Sequence, residues 1–440
     1  MSRDGGLHVG YPEQIAFEYF YVPAIAVNTP ATSLTMGGKV MSDQNYIYAT
    51  SFYPQLDGGV QLATNRVHRR GKQLGTWSVM TEVTGVLGPG AIAMSRDNAV
   101  HQVVACSTNC SVIGPRRDTA AVRVEYAARD GAVDFDAGDV EVEPSFPAAG
   151  NVEIGASAIT REVLWSYLAA TAARNRVYAS SNNPSRPSAV VVPRLMDAGV
   201  QDGATRDASA TDARISGNEA GVFHAVVNTA ISERAAIHVA SSRRIAGDYQ
   251  SIDLVRRDGG GLERLSQLAA TRIVRTPNPD ELIVTSVAQT PNGTILVLVI
   301  DGESEFTIAG SLHRFAPDGE LIGTPRPLGR VDKGAQIHVI NDQDVLVFSS
   351  GAIGVGLAVW QSNDGGETFV GPSTIRFDPR SVAVTPMEAS TLTAMSIETP
   401  STSRVGWDPY LVRMVLSVGL HAGGQDTFRG AIYLEIPLSH

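Results

Sequence analysis

A chain of 440 residues with 43% hydrophobic residues can bury a large interior, as two or three ordinary domains or as one repetitive structure. Its 43 glycines and 23 prolines favour many turns over long helices. The net charge of −10 is spread along the chain, which speaks against a dedicated nucleic-acid face, and no apolar run reaches membrane-spanning length.

The start, Met1 to Gly10, lacks the basic segment and apolar run of a secretion signal. Residues up to about 40 read as an N-terminal arm with one strand-like run, Phe17 to Val22. Seven strand-rich units follow, each opening on an apolar, β-branched run as a strand buried on both faces should. The openers are Tyr46 to Phe52, Val100 to Cys106, Val163 to Ala169, Gly221 to Val227, Thr294 to Ile300, Val345 to Phe348 and Leu392 to Ile397. Their spacing of about 50 to 70 residues suits four-stranded units with variable loops. No repeated sequence signature accompanies them. In the first unit Asp57-Gly58-Gly59 reads as a turn and Arg66 to Lys72 as a polar hairpin tip.

Cys106 and Cys110 flank Ser107 to Asn109, and with no further ligands at metal spacing they read as reduced, structural thiols. Asp134 to Glu143 alternates acidic and apolar residues, which gives a strand with a charged face more simply than a calcium loop. Ser157 to Arg176 has a spacing that also fits a helix, and the surrounding strands favour strands there too. Residues 196–220, rich in Asp, Ala, Ser, Thr and Gly, read as a long polar insertion loop. His101, His224 and His338 fall inside apolar strands, where a hydrogen-bonded core histidine is the ordinary explanation. Ala431 to Ile436 is strand-like, and either it or the N-terminal run can close a ring of sheets.

One stretch spells out a complete local structure. Gly356 to Trp360 leads in, Asn363-Asp364-Gly365-Gly366 supplies positive-φ turn residues, and Thr368-Phe369-Val370 leads out, so the segment reads as a β-hairpin. Ser362, Asp364, Gly366, Thr368 and Phe369 together resemble the Asp-box of the bacterial neuraminidase repeat. In that family the box sits between the third and fourth strands of a propeller blade. The resemblance covers eight residues and implies an all-β fold, a β-propeller of four-stranded blades, seven or six in number, as a single domain over residues 1–440.

The same family binds a carboxylated sugar with three arginines and uses a Tyr/Glu pair as nucleophile. Its opening aromatic-Arg-Ile-Pro motif is absent here, and Arg275-Thr276-Pro277 lies too late to replace it. Ser95 to Ala99 and Ser2 to Gly6 are fragments of further boxes. No catalytic, metal or cofactor residue is assigned. With no export signal and no catalytic set, the expected function is that of a non-enzymatic component of a virus particle, made in host cytoplasm and tail-associated like phage nozzles, adaptors or fibres. Its expected partners are other virion subunits within a homo-oligomeric assembly, with a host surface glycan as a further one, and no specific nucleic acid. A glycan-binding or glycan-cleaving sialidase-like propeller is the alternative, and a cellular protein-interaction scaffold the second alternative.

Overall fold

A computed structural model describes residues 13–18, 39–57, 60–73, 77–86, 90–95, 97–106, 110–111, 119–129, 132–144, 148–156, 163–170, 175–181, 189–191, 194–196, 205–207, 209–217, 223–231, 234–242, 244–245, 248–249, 274–275, 282–304, 307–316, 322–332, 334–350, 356–376, 388–400, 407–422 and 425–438. Within them the chain is all-β and forms seven four-stranded antiparallel sheets, with two small two-stranded ones. It is a β-propeller. The first sheet is Val40–Ser42, Tyr46–Asp57, Val60–Gly71 and Ser78–Val86; the second is Ala91–Met94, Val100–Ala105, Thr119–Arg129 and Ala132–Pro144. The third is Ala148–Ala156, Val163–Ala170, Asn175–Ser181 and Ala189–Val191; the fourth is Ser209–Gly217, Phe223–Ile231, Arg234–Ser242 and Val274–Arg275. Leu282–Gln289, Ile295–Ser304, Thr307–Phe315 and Arg326–Arg330 make the fifth, and Gln336–Val339, Val345–Ser350, Gly356–Ser362 and Val370–Arg376 the sixth.

The seventh joins the two ends of the chain. Glu388–Ile397, Leu411–Ala422 and Gln425–Pro437 supply its first three strands, and Glu13–Glu18 pairs with the last of these as the fourth. The N-terminal segment therefore does the closing, and Ala431 to Ile436 lies inside the strand that receives it. First strands of successive sheets touch in chain order, and Val40–Ser42 touches Leu411–Ala422, so the series returns on itself.

Six of the seven runs expected to open a unit are second strands. The true first strands are harder to read because some are only three or four residues long and carry polar or small residues beside the apolar ones. The second strands are buried on both faces, as Val100–Ala105 is throughout, and so read as continuous apolar runs. Residues 196–220 are not one loop: Ser209–Gly217 is the first strand of the fourth sheet, and its pairing partners, not its own polar composition, make it a strand. Nor is Arg66 to Lys72 a tip. The strand runs on to Gly71, with Arg66 bonded to Glu82 at 2.6 Å and the Arg69 and Arg70 guanidiniums over the rings of Tyr46 and Tyr433. Asp134 to Glu143 lies in the outer strand of the second sheet.

The core consists of apolar layers between sheets. Met41, Tyr48, Phe52 and Val67 share one buried cluster with Ile92, Val100, Val104 and Tyr126, which joins the first and second sheets. Ala91, Ala93 and Val103 meet Ile154, Val163 and the fully buried Trp165 between the second and third. Leu296, Leu298 and Leu312 meet Ile337, Val347 and Trp360 between the fifth and sixth. Each of the larger side chains among them contributes about 1.5–3 kcal/mol on burial, so these layers hold neighbouring sheets together. Cys106 and Cys110 lie in the first of them and are joined as a disulfide, not held as thiols; their Cα atoms are 5.4 Å apart, within bridging range.

Candidate functional site

Superimposing the ladders by register exposes a repeat that the sequence conceals. Val40, Ile92, Ile154, Ile215, Val287, Ile337 and Met395 hold one equivalent position in the seven first strands, opposite Ala49, Gln102, Trp165, Ala225, Val297, Val347 and Leu416. Where side chains are described, this layer packs back on the preceding sheet: Val40 with Val415 and Tyr433, Ile92 with Tyr48, Ile337 with Leu296. A small turn follows it. Asp43, Ser95, Thr290 and Ile340 each donate a backbone N–H across that turn, and Asx-type side chains cap it. Asp43 Oδ1 accepts the N–H groups of Asn45 and Tyr46, Ser95 Oγ donates to Asp97, and Thr290 Oγ1 donates to Asn292. Ser95 to Ala99 thus closes a first-to-second-strand turn, whereas Ser362 to Phe369 lies between a third and a fourth strand. Ser2 to Gly6 lies outside the described residues.

One residue earlier, where side chains are described, stand Lys39, Ala91, Glu153, Ser286 and Gln336, on or just before these first strands. All but Ala91, which packs in the apolar layer between the second and third sheets, are polar. Lys39 Nζ donates to both carboxylate oxygens of Glu153 at 3.0 Å, linking the first and third sheets past the second, where the equivalent residue is the small Ala91. Thr50 Oγ1 accepts from Lys39 N at 2.8 Å and donates to Gly90 O at 3.4 Å. On the fifth and sixth sheets, Ser286 Oγ accepts from Ile337 N at 3.0 Å, and Gln336 Nε2 donates to the Thr285 carbonyl at 3.4 Å.

Three polar seams cross the apolar layers. Between the seventh and first sheets, Arg413 Nη1 donates to Glu398 at 2.7 Å and to Ser42 Oγ at 3.1 Å, while Ser42 Oγ donates to the other Glu398 oxygen at 2.5 Å. Arg413 Nε and the Tyr433 hydroxyl both donate to Glu435 Oε1, at 3.4 and 2.5 Å. Burial and the Glu435 carboxylate raise the Tyr433 hydroxyl well above its ordinary value. A Tyr/Glu pair beside arginines does occur here. Tyr433 is 1% exposed, however, and lies on the same strand as Glu435, which takes its hydroxyl, while Arg413 is held by Glu398 and Ser42, so the group acts within the seventh sheet and at its joint with the first.

Between the first and second sheets, Tyr126 OH donates to Gln102 Oε1 at 2.8 Å and Gln102 Nε2 donates to Asn65 Oδ1 at 2.6 Å. Asn65 lies flat on Gly90, where an added Cβ would stand 2.7–2.9 Å from its amide. On the face of the second sheet toward the third, Arg123 Nη1 donates to His101 Nδ1 at 2.8 Å, and Arg123 sits 5.2 Å over the Trp165 ring. Because a guanidinium can only donate, His101 carries its proton on Nε2 and donates to Ser95 Oγ at 2.9 Å. Ser95 in turn donates to Asp97. Protons therefore point away from the histidine, opposite to a serine nucleophile activated by a base. Burial, reinforced by Arg123, lowers His101 to about 3. His338, whose Nε2 donates to the Pro409 carbonyl at 2.8 Å, is likewise held neutral by burial at about 4.

Ser362, Asp364, Gly366, Thr368 and Phe369 come together in one turn of the sixth sheet, with Asp364 as its hub. Asp364 Oδ1 accepts from Ser362 Oγ and Thr368 N, both at 2.8 Å, and Oδ2 from Thr368 Oγ1 at 2.5 Å; Ser362 Oγ accepts from Gly366 N at 2.8 Å. Desolvation pulls the Asp364 carboxyl upward, and the bonds from Thr368, Ser362 and the Glu367 backbone outweigh it, holding the group at about 2. Gly366 has φ +85° and lies against Leu312, Glu367 takes Arg314 Nη2 at 2.8 Å, and Phe369 joins the apolar layer there. The turn thus docks the sixth sheet onto the fifth.

Among the described residues no three His, Cys, Asp or Glu side chains gather as metal ligands. Lys39, Glu153, Asn65, Gln102, Glu398 and Arg413 went unnoticed in the sequence. The signal that could have found the layer is an aliphatic residue followed three positions later by a turn opener and two positions further by Asp or Asn, as in Ile92 to Asp97, Val287 to Asn292 and Ile337 to Asp342.

No protein-family model and no curated protein matches the chain by sequence. By structure, the chain is similar to the polysaccharide lyase Uly1, with TM-score 0.53, 10% identity and coverage of 98% of this chain and 99% of that one. It is similar to a PL25 ulvan lyase bound to -[GlcA(1-4)Rha3S]-, with TM-score 0.56, 12% identity and coverage of 98% and 96%. A subtype N11 neuraminidase-like protein matches at TM-score 0.39 and 6% identity over 80% of this chain and 87% of that one. These findings overturn the expectation of a virion component. The absence of a recognisable catalytic set in the sequence is one of the two premises of that expectation, yet chains that share this fold from end to end are polysaccharide lyases.

Proposed function

We propose that the protein is a glycan-processing enzyme of the polysaccharide-lyase kind, acting on an acidic, uronate-containing polysaccharide. The observation that carries this reading is the end-to-end likeness to two polysaccharide lyases, one of them a PL25 ulvan lyase, spanning 98% of this chain and 96–99% of theirs. Elimination from a uronate needs a cation or dipoles at the carboxylate, a base at the α-proton and a proton donor at the leaving oxygen. Lys39, Glu153, Ser286 and Gln336, at the first strands of four sheets, are groups of that chemical kind. On the same footing we take the seven sheets as seven blades of one domain. The turn at Ser362 to Phe369 we take as an Asp-box, on its place between third and fourth strands and the bonds gathered by Asp364.

The test is incubation of the purified protein with ulvan and other uronate polysaccharides, with a neutral glucan as control, followed by ultraviolet absorbance of unsaturated uronate and product mass. Absorbance should rise with an acidic polysaccharide alone. Products that gain the mass of water would make the protein a hydrolase, and no depolymerisation of any uronate polysaccharide would refute the reading.

A further inference from the structure

The Cys106–Cys110 bridge lies outside the polar groups of the first strands and the polar seams. Cys106 follows the second strand of the second sheet, Val100–Ala105, and forms an isolated antiparallel bridge with Val86 at the end of the first sheet's outer strand. One residue past Cys110, Ser111 N donates to the Thr84 carbonyl at 3.0 Å, and Ser111 Oγ accepts from Thr84 N at 2.9 Å. Both cysteines are buried, at 2% and 0% exposure, in the apolar layer with Phe52, Val83, Val86, Val104 and Val122. A single short segment is thus fixed to the neighbouring sheet on each side of the disulfide, and the disulfide joins the two points of attachment.

We propose that this bridge is a redox-sensitive clamp on the joint between the first and second sheets, and that the protein takes its working form in an oxidising compartment. The inference rests on this geometry and is independent of the reaction proposed above. Closing the clamp converts two thiols to a disulfide, releasing two protons and two electrons. A small disulfide such as glutathione disulfide accepts them: one cysteine thiolate attacks it and expels one glutathione thiol, then the second cysteine displaces the other. Disulfides persist in extracytoplasmic compartments and are rare where glutathione and thioredoxin keep thiols reduced. With both sulfurs buried, a reductant reaches the closed bridge only through local opening, so reduction should be slow under native conditions and fast in moderate denaturant.

The experiment uses the full chain refolded in a glutathione redox buffer. Free thiols are counted by alkylation after denaturation, and melting is followed with and without reductant, for wild type and for Cys106→Ala/Cys110→Ala. We expect no alkylated thiol in the oxidised protein and a melting midpoint about 1–3 °C above that of the reduced protein. The double variant should melt with the reduced wild type and ignore reductant. The proposal is overturned if both cysteines alkylate after oxidising refolding, or if reductant leaves the wild-type midpoint unchanged. Should the double variant fail to fold, the wild-type comparison alone decides, since it changes no residue.

Discussion

Lowering the pH below about 6.5 should unfold this protein through its histidines. His68, His313 and His338 are held neutral at about 4 and His101 at about 3, burial being the leading cause in each case. Arg66 adds to it at His68 and Arg123 at His101, whereas the Pro409 carbonyl opposes it at His338. Because each folded value lies below the unfolded one, the unfolded chain binds protons first. The stability these groups allow is complete above about 6.5 and is lost as the pH falls toward 4. At pH 5 each histidine with a folded value near 4 costs about 2 kcal/mol, and the four together about 8 kcal/mol, as much as the whole stability of many domains. Thermal melts at pH steps from 7.5 to 4.5 would measure it, with His313→Gln expected to remove about a quarter of the slope. His313 suits that role because its Nδ1 has no hydrogen-bond partner among the described residues. A midpoint unchanged between pH 7 and pH 5 would refute the reasoning.

Replacing Glu398 by alanine leaves Arg413 buried beside Ser42 without its closest carboxylate, and should cost about 3–5 kcal/mol in denaturant unfolding; a loss below about 1 kcal/mol would show the seam tolerates opening. Gly90→Ala drives a methyl into the Asn65 amide and should cost about 1–3 kcal/mol, with a shifted tyrosine signal because Asn65 holds Gln102 and Gln102 holds Tyr126. Asp364→Ala removes the hub of the sixth-sheet turn and should cost about 1–2 kcal/mol above pH 4, an effect that vanishes as the wild-type carboxyl protonates toward pH 2.

The second strands were legible because burial on both faces writes a continuous apolar run into the sequence, as in Val345–Ser350. The Asp364 turn was legible because its bonds are local, each reaching no more than four residues. Six of the seven first strands were not: Lys39 and Glu153, for example, are polar for a reason that lies 114 residues away in the chain. The same holds for Ser42, Glu398 and Arg413: spacing along the sequence says nothing of partners supplied by another sheet. Arg66 to Lys72 reads as a tip because arginines that pair with Glu82 or cover aromatic rings look the same in sequence as arginines in water. The disulfide was misread because four-residue spacing suits a turn and a bridge equally, and only the backbone path decides.

Glu13–Glu18 completes a sheet whose other strands begin at Glu388, and Ser42 meets Glu398 across 356 residues of chain. Six sheets can form from neighbouring strands while the chain is still being made, but this one must wait until residues 388–437 exist. Synthesis therefore passes through a long interval in which the early strand has no mate and the first sheet shows a bare flank. A stop codon or a proteolytic cut near residue 388 would do more than shorten the product, because it would leave that flank and the early strand unmatched for good, and such chains should be found in aggregates and not in solution.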